Sequence, residues 1–334
     1  MAVIIKENNG LVTNTYFEII GKSLSNLGEE VKYVDSVNDA LTCNKNEIIV
    51  CALPLEALRL ILCGYRHIIY WYQGLPAEEC FLVQNNRIKY YVWNMIEWFV
   101  IRHLDFILFV SETMKSYVSQ KNKINLDERR CYVMPCMNTT LHQEAFIKSG
   151  KYQNRIFAYV GSLTKWQSFE ETAALYKKIE EAFDGHTLFK IFTWDQDEAK
   201  DIIDKLRIQN YEIDYVDNTE LPTVLADVKY GFILRKDNIV NRVATPTKIS
   251  SYLSCGVIPI YSDCLEDFSK IAKEMKYAVS DHEDIITKLK FLESDEIYPD
   301  DILQEYERVF NTYYNQTKHM SALTEKLRII TTAQ

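Results

Sequence analysis

The sequence lacks the short motifs that mark the commonest nucleotide and metal enzymes. No GxxxxGK loop occurs and no GxGxxG follows the first predicted strand, so kinase and dehydrogenase functions lose their main support. Neither HExxH nor GxSxG is present, so the zinc-peptidase and nucleophile-elbow patterns are missing as well. The eight cysteines form no CxxC pair and have no histidine at metal-ligand spacing, so we expect reduced thiols, most of them buried.

Long apolar runs and an excess of basic charge are also absent. The best candidate for a membrane span, 90–110, is interrupted by Glu97, Arg102, His103 and Asp105, and the amino terminus lacks the pattern of a signal peptide. The net charge is −9, which argues against nucleic acid as the main partner. These absences predict a cytoplasmic globular protein.

Strand-like apolar runs alternate with helical patterns along the whole chain. Several runs are apolar throughout, for example 48–51 and 106–110, which is typical of parallel strands buried on both faces. We therefore predict an α/β fold with two doubly wound Rossmann-like domains. The predicted domains are 1–145 and 156–300, with the polar segment 142–155 as linker and with terminal helices over 301–334.

The segment 231–262 carries the clearest site prediction, because it reads as strand, polar loop, helix and strand. Its helix is expected to start with Thr245 as N-cap and Pro246 as first residue, and to end at Gly256. Lys248 then lies in the first turn, where the helix dipole disfavours a cation unless an anion lies between them. Arg235 and Arg242 are in the loop before this helix. A phosphate site and a lysine that simply extends into water stay open as alternatives.

Three loops are candidates for ligand contacts. Residues 161–164 form a glycine-started loop between a strand and a helix, which could present N–H groups to a phosphate. That helix is expected to begin with a capping box of Ser168 and Glu171. The dipeptides 9–10 and 73–74 follow the first and fourth strands, where parallel strands end near a cleft, although each is also an ordinary turn sequence.

Asp195 and Asp197 follow an apolar strand and could share a divalent cation with a nucleotide diphosphate. The alternative is structural, because Asp195 is a good N-cap and Glu198 completes a capping box. We favour the structural interpretation and predict no metal site.

The segment 87–103 is rich in aromatic residues and has basic ends. Such a helix could lie on a membrane surface, where tryptophan, tyrosine and basic residues are favoured. A helix that is apolar nearly all round is more often buried, and we favour that interpretation.

Five segments together resemble a known family. They are 159–171 (YVGSLTKWQSFEE), 211–235, 241–262 (NRVATPTKISSYLSCGVIPIYS), 106–118 and 131–140. They are similar to retaining GT-B glycosyltransferases with a family-4-type C-terminal domain. The resemblance implies an acceptor domain over 1–145, a nucleotide-sugar domain over 156–300 and a cleft between them, with terminal helices packing back across both.

The resemblance also implies site residues, and no cofactor or metal. Two cations that neutralise the leaving diphosphate would be Arg235 and Lys248. The donor sugar nucleotide would also contact Gly161, Ser162, Lys165, Tyr215, Val216, Arg242, Thr247 and Ser251. The acceptor side would include Asn9, Gly10, Gln73 and Gly74.

The sequence departs from the family pattern at several of these places. Ser162 and Gln167 stand where the family commonly has arginine and lysine, and Val243 and Ser251 stand where it commonly has acidic residues. We expect a hexosyltransferase-type enzyme of bacterial surface polysaccharide or capsule synthesis, with a glycan or lipid-linked acceptor and an optional peripheral contact with the inner membrane face. The alternative is a catalytically silent GT-B partner that stabilises an active transferase. A third alternative is a GT-B sugar-nucleotide epimerase. It is disfavoured because this sequence lacks the acidic and histidine residues expected in the cleft of such an enzyme.

Overall fold

The computed structural model describes residues 1–6 and 11–331, which form two compact units. One unit takes in the described residues of Met1–Asn138 and Asn315–Gln334, and the other is Thr139–Tyr314. Each unit contains a six-stranded sheet in which every strand pairs in parallel with its neighbours. The predicted α/β fold with two Rossmann-like sheets is confirmed.

The sheet of the first unit has the strand order β2-β1-β3-β4-β5-β6. Its strands are β1 (Ala2–Ile5), β2 (Val31–Val34), β3 (Ile48–Cys51), β4 (Ile68–Tyr72), β5 (Phe106–Phe109) and β6 (Cys131–Val133). The helices between them are α1 (Leu11–Ser25), α2 (Val37–Ala40), α3 (Pro54–Leu62), α4 (Pro76–Gln84), α5 (Arg87–Ile101) and α6 (Glu112–Asn122). The central strands β3, β4 and β5 are buried along their whole length, as their continuous apolar runs predict.

The second unit has the order β12-β11-β10-β7-β8-β9. Its strands are β7 (Ile156–Val160), β8 (Leu188–Phe192), β9 (Tyr211–Asp214), β10 (Tyr230–Ile233), β11 (Ile258–Tyr261) and β12 (Val279–Ser280). Its helices are α7 (Gln143–Phe146), α8 (Phe169–Ala182), α9 (Gln196–Lys205), α10 (Leu221–Leu225), α11 (Ile239–Arg242), α12 (Thr247–Ser254), α13 (Glu266–Ala272), α14 (Ile285–Ser294) and α15 (Pro299–Thr312). The final helix, α16 (Gln316–Thr331), belongs to the first unit.

The terminal helices predicted over 301–334 are separated by an interruption at residues 313–315. The chain passes from the second unit to the first at this interruption, between Tyr314 and Asn315. Two hydrogen bonds then fix α16 to the first unit: Ser23 Oγ donates to Met320 O over 3.3 Å, and the Tyr132 hydroxyl bonds Nδ1 of His319 over 2.8 Å. The returning helix is thus an integral part of the first unit.

The segment 142–155, predicted as a linker, is folded into the second unit. Lys151 and Tyr152 are 1% and 6% exposed, and Lys151 Nζ donates to the carbonyls of Leu225 and Ala226 over 2.9 and 3.1 Å. The lysine therefore satisfies carbonyl groups at the end of α10, where a cation is favourable. The linker prediction relied on the polar composition of the segment, and that composition gave no sign of this burial.

Helix α5 differs from the prediction of an all-round buried helix. Glu97, Val100 and Ile101 are buried, but Ile88 and Met95 are 77% and 72% exposed. The helix is apolar on both faces, but only one of them is buried. No helix within the described ranges 1–6 and 11–331 is long and apolar enough to cross a bilayer.

Candidate anion site of the second unit

The candidate site lies where the strand order of the second sheet reverses. Strand β7 pairs with β8 on one side and with β10 on the other, so the chain leaves the carboxyl ends of β7 and β10 toward opposite flanks. Open parallel sheets bind ligands at this switch point. The loop after β7 begins with Gly161, and the loop after β10 begins with Leu234 and Arg235.

A glycine in β10 brings helix α12 close to this point. A Cβ on Gly231 would lie 2.5 Å from the Tyr252 ring, so only glycine lets α12 pack against the strand in this way. The helix begins at Thr247 with Pro246 as its N-cap, one residue later than predicted, and Pro246 makes no side-chain capping hydrogen bond. Gly256, with φ +71, ends it in the left-handed conformation that was predicted.

Arg235 and Lys248 meet at a single neutral acceptor. The Lys248 ammonium donates to Oε1 of Gln167 over 2.7 Å, and Nη2 of Arg235 donates to the same oxygen over 2.5 Å. Arg235 also donates to the main-chain carbonyls of Gln167 and Leu234 over 3.1 and 2.9 Å. Within the described part of the chain, neither cation has an ion-pair partner.

The two cations are poorly solvated. Arg235 is 8% exposed, and Lys248 lies with its Nζ 4.3 Å from the centre of the Tyr159 ring. Burial, together with the nearby Arg235 guanidinium, lowers the pKa of Lys248 well below its ordinary value, and burial also lowers the pKa of Arg235. Two like charges at one neutral oxygen are unfavourable by themselves, and an anion bound between them would remove that penalty.

Gly161 provides the floor under Lys248. Its φ is +125, and a Cβ there would lie 2.8 Å from Cε of Lys248 and 3.0 Å from its Nζ. Its own N–H donates to Phe192 O over 2.8 Å, so it is not available to a phosphate as the sequence suggested. The N–H of Ser162 has no protein acceptor among the residues that the structure describes, so this amide remains the available donor of the loop.

Asp195 holds the glycine loop in place. Its Oδ2 accepts the N–H of Leu163 over 2.9 Å, and the Tyr159 hydroxyl donates to Ser162 O over 2.6 Å. Asp195 does occupy the N-cap position of α9, but its side chain makes no capping hydrogen bond, so the predicted capping box with Glu198 is wrong. No three His, Cys, Asp or Glu side chains converge in a metal-binding group within residues 1–6 and 11–331.

The predicted capping box of Ser168 and Glu171 is also wrong. Ser168 adopts φ +53 at the N-cap of α8, and its side chain caps nothing. A short 3₁₀ turn, Lys165–Gln167, precedes it and turns Gln167 toward the cations. Glu171 instead pairs with Lys236 over 2.6 Å. Helix α8 therefore follows a 3₁₀ turn that positions Gln167, and it does not begin with the expected capping box.

An aromatic pair lies at the carboxyl ends of β8 and β9. Trp194 is 73% exposed and its ring centre lies 3.7 Å from that of Tyr215, with the planes tilted by 34°. The Tyr215 hydroxyl donates to Asp217 over 2.8 Å, and its N–H donates to the Asp214 carboxylate over 2.7 Å. This pair offers an exposed stacking surface on the same edge of the sheet as the two cations.

The other predicted donor contacts are placed less favourably. Lys165 is exposed and makes no hydrogen bond or ion pair within the described residues, and Arg242 is neutralised by Asp237 over 2.6 Å. Ser251 is buried, and its hydroxyl bonds Thr247 O over 3.1 Å inside the helix. Thr247 is half-buried in the first turn of α12, and Val216 is half-buried just after β9.

The predicted acceptor-side residues divide into two pairs. Asn9 and Gly10 lie outside the described residues. Gln73 is exposed directly after β4, and Gly74 follows it. A Cβ on Gly74 would collide with the Glu79 carboxylate, which accepts the N–H of Leu75 over 2.9 Å. A larger residue at 74 would therefore have to displace the Glu79 carboxylate from this hydrogen bond.

Sequence reasoning missed two parts of this site. Gln167 looked like a mere departure from the family pattern, although it bridges the two cations. Trp194 attracted no attention, although a large aromatic residue just beyond an apolar strand is a usable signal, since such strands end at the ligand-binding edge.

Comparisons with solved structures identify the fold. No family model matches the sequence, and no curated protein matches it. Sucrose-phosphate synthase from Thermosynechococcus elongatus superposes with a TM-score of 0.73 at 12% identity, over 100% of this chain and 99% of that chain. WaaG, a glycosyltransferase of lipopolysaccharide biosynthesis, gives 0.64 at 11% identity, over 97% and 100% of the two chains.

TarM from S. aureus, solved with fondaparinux, alpha-GlcNAc-glycerol and UDP, gives a TM-score of 0.61 at 11% identity. The match covers 84% of this chain but only 56% of the TarM chain. At such identities the likeness concerns the fold. The chain has the GT-B fold of these glycosyltransferases.

Proposed function

We propose that the protein is a metal-independent, retaining glycosyltransferase that uses a nucleoside-diphosphate sugar. The observation that carries the proposal is the pair of cations, Arg235 and Lys248, which share one neutral oxygen and have no ion-pair partner among the described residues. A diphosphate supplies the missing negative charge. It would also accept the unpaired N–H of Ser162 and lie at the start of α12, whose N-cap residue, Pro246, has no side-chain acceptor.

The same groups suit the chemistry of sugar transfer. As the bond between the sugar C1 and the diphosphate oxygen breaks, negative charge accumulates on the leaving group, and fixed cations stabilise it. The acceptor hydroxyl forms the new bond to C1, and its proton passes to the leaving diphosphate oxygen. No protein nucleophile is required by this scheme.

Proteins of the same fold support the choice of donor. TarM was solved with UDP, and another neighbour, described as trehalose-6-phosphate from E. coli, was solved with UDP-2-fluoro glucose. In this chain the exposed Trp194–Tyr215 pair is the surface on which a nucleobase would stack. WaaG and TarM also motivate the proposed acceptors, a glycan or a lipid-linked glycan of a bacterial surface polysaccharide, made on the cytoplasmic side of the membrane.

A thermal-shift series tests the donor site. UDP, GDP, CDP and TDP would each be added without metal and again with EDTA, because a ligand that binds only the folded state raises its stability. We expect one nucleotide to raise Tm, with the shift unchanged by EDTA. A shift that EDTA abolishes would contradict metal independence.

A catalytically silent partner subunit is the second candidate, favoured by the neutral Ser162 and Gln167 where the family commonly has cations. Release of free nucleoside diphosphate from the matching sugar nucleotide separates the two functions. A protein that binds the nucleotide but releases none, with any acceptor extract, would be the silent partner. If no nucleotide shifts Tm at all, the donor-site proposal is wrong.

A further inference from the structure

The outer face of α5 is an exposed apolar stripe in the first unit. Five side chains spaced at helical intervals are between 50% and 77% exposed: Ile88, Tyr91, Val92, Met95 and Trp98. They recur at intervals of one turn, so they share one side of the helix. The neighbouring helices α3 and α4 also carry exposed apolar side chains. Further exposed apolar side chains there are Leu55 and Leu62 of α3 and Phe81, Leu82 and Val83 of α4.

Charge is segregated around this stripe. All four acidic residues of α3, α4 and α5 turn inward: Glu56, Glu78 and Glu97 are 6–7% exposed, and Glu79 is half-buried. The basic residues of the same helices, Arg59, Arg87 and Lys89, are exposed. The surface therefore presents apolar side chains and positive charge together, in a protein whose net charge is −9.

The stripe is held on a rigid base. Glu97, on the inner face of α5, pairs with Lys121 over 3.0 Å and accepts a hydrogen bond from Asn122 over 2.8 Å, both on α6. Arg102, directly after α5, stacks on Trp98 at 4.2 Å and donates to Asn122 O over 2.7 Å. These contacts fix the rotation of α5, so its apolar side stays turned outward.

We infer that this surface docks on the face of an anionic lipid bilayer. Tyrosine and tryptophan prefer the interfacial region, and basic side chains beside them attract anionic headgroups. Helix α5 has 15 residues and is about 22 Å long, too short to span the hydrocarbon core, so it lies along the interface. The charge pattern favours a lipid surface over a second copy of this acidic chain. The inference stands independently of the proposed donor site.

Vesicle co-sedimentation tests the surface with the whole protein. Phosphatidylcholine vesicles with and without phosphatidylglycerol would be spun down with the wild type, with Met95→Glu and with Tyr91→Glu/Met95→Glu. Phe291→Glu is the matched control, since Phe291 is 56% exposed but lies in the second unit. We expect binding to the anionic vesicles, weaker at high salt, reduced about tenfold in the double variant and unchanged in the control.

Three results would overturn the inference. One is a wild type that stays in the supernatant with anionic vesicles at low salt. Another is binding that Met95→Glu and the double variant leave unaltered. The last is self-association in sedimentation velocity that Met95→Glu abolishes, without any vesicle binding, because the stripe would then be a protein interface. Thermal unfolding checks that each variant is folded. Lys248→Met should keep vesicle binding, so failure of the donor site and failure of this surface are distinguishable.

Discussion

Arg235 and Lys248 donate to one and the same atom, Oε1 of Gln167, over 2.5 and 2.7 Å. An amide oxygen is a weak partner for two cations, and a phosphate oxygen would be a much stronger one. The side chain of Gln167 thus occupies a position that a ligand oxygen suits better. We therefore expect that a substitution at this site can raise the free energy of unfolding of the ligand-free protein and, at the same time, weaken nucleoside diphosphate binding.

Lys248→Met should stabilise the ligand-free protein and weaken nucleoside diphosphate binding. Removing a desolvated cation beside Arg235 relieves repulsion, so the free energy of unfolding should rise without ligand. Affinity for the matching nucleoside diphosphate should fall by about 1.5–3 kcal/mol, the scale of a charge-assisted hydrogen bond. Denaturant unfolding and calorimetric titration measure the two effects. Lys200→Met, on the exposed face of α9, serves as control. Unchanged nucleotide affinity would remove Lys248 from the donor site.

Gln167→Glu places a carboxylate between the same cations. We expect a more stable free protein, because the new charge compensates the buried Arg235 and the half-buried Lys248. We also expect a weaker nucleoside diphosphate complex, because the carboxylate competes with phosphate. The control is Gln304→Glu, on the exposed side of α15. Thermal unfolding with and without nucleotide reads out both effects. A variant that binds nucleotide more tightly would contradict an anion site at these cations.

Trp194→Leu distinguishes the contribution of the nucleobase to binding from that of the diphosphate. Loss of a stacking surface should weaken nucleoside diphosphate binding by about 1–2 kcal/mol while leaving inorganic pyrophosphate unaffected. Isothermal titration with both ligands measures the difference. The matched control is Trp98→Leu, another exposed tryptophan, which lies in the first unit. Equal losses for the nucleotide and for pyrophosphate would show that Trp194 does not stack on the base.

Because Lys151 is buried, the free energy of unfolding should increase as the pH rises from about 7 to 10.5. Burial lowers the pKa of this ammonium from 10.5 to about 7 in the folded protein. Between these values the unfolded chain holds the proton and the folded chain does not, so stability rises with pH, by up to about 1.4 kcal/mol per unit. Below pH 7 both states are protonated, and the burial penalty is present in full.

Urea unfolding at several pH values from 7 to 10 tests this for the wild type and for Lys151→Met. Other groups also titrate in this range, so the relevant quantity is the difference between the two proteins. Lys178→Met, at an exposed position of α8, controls for the loss of a charge. If the wild type and Lys151→Met have parallel pH profiles, the buried ammonium keeps its proton throughout.

Local sequence patterns predicted most elements of the fold. Continuous apolar runs such as those of β3 and β5 are typical of strands buried on both faces, and the structure confirms both strands. Helix α4 was missed. It has no clear apolar periodicity, and Pro76 at its first turn gave too weak a signal. Local patterns thus predicted elements well wherever one face was consistently apolar.

The tertiary structure decided which side chains share a site. Arg235 and Lys248 were both predicted from the sequence, yet their common partner, Gln167, is 68 and 81 residues distant from them in the chain. The cap proposed for Asp195 failed for the same reason, because its carboxylate accepts the N–H of Leu163 in another loop. Likewise, helix α5 is apolar on both sides, and only its packing determines which side faces solvent. Local sequence sets periodicity and propensity, whereas contacts between distant loops depend on how the sheet brings its strand ends together.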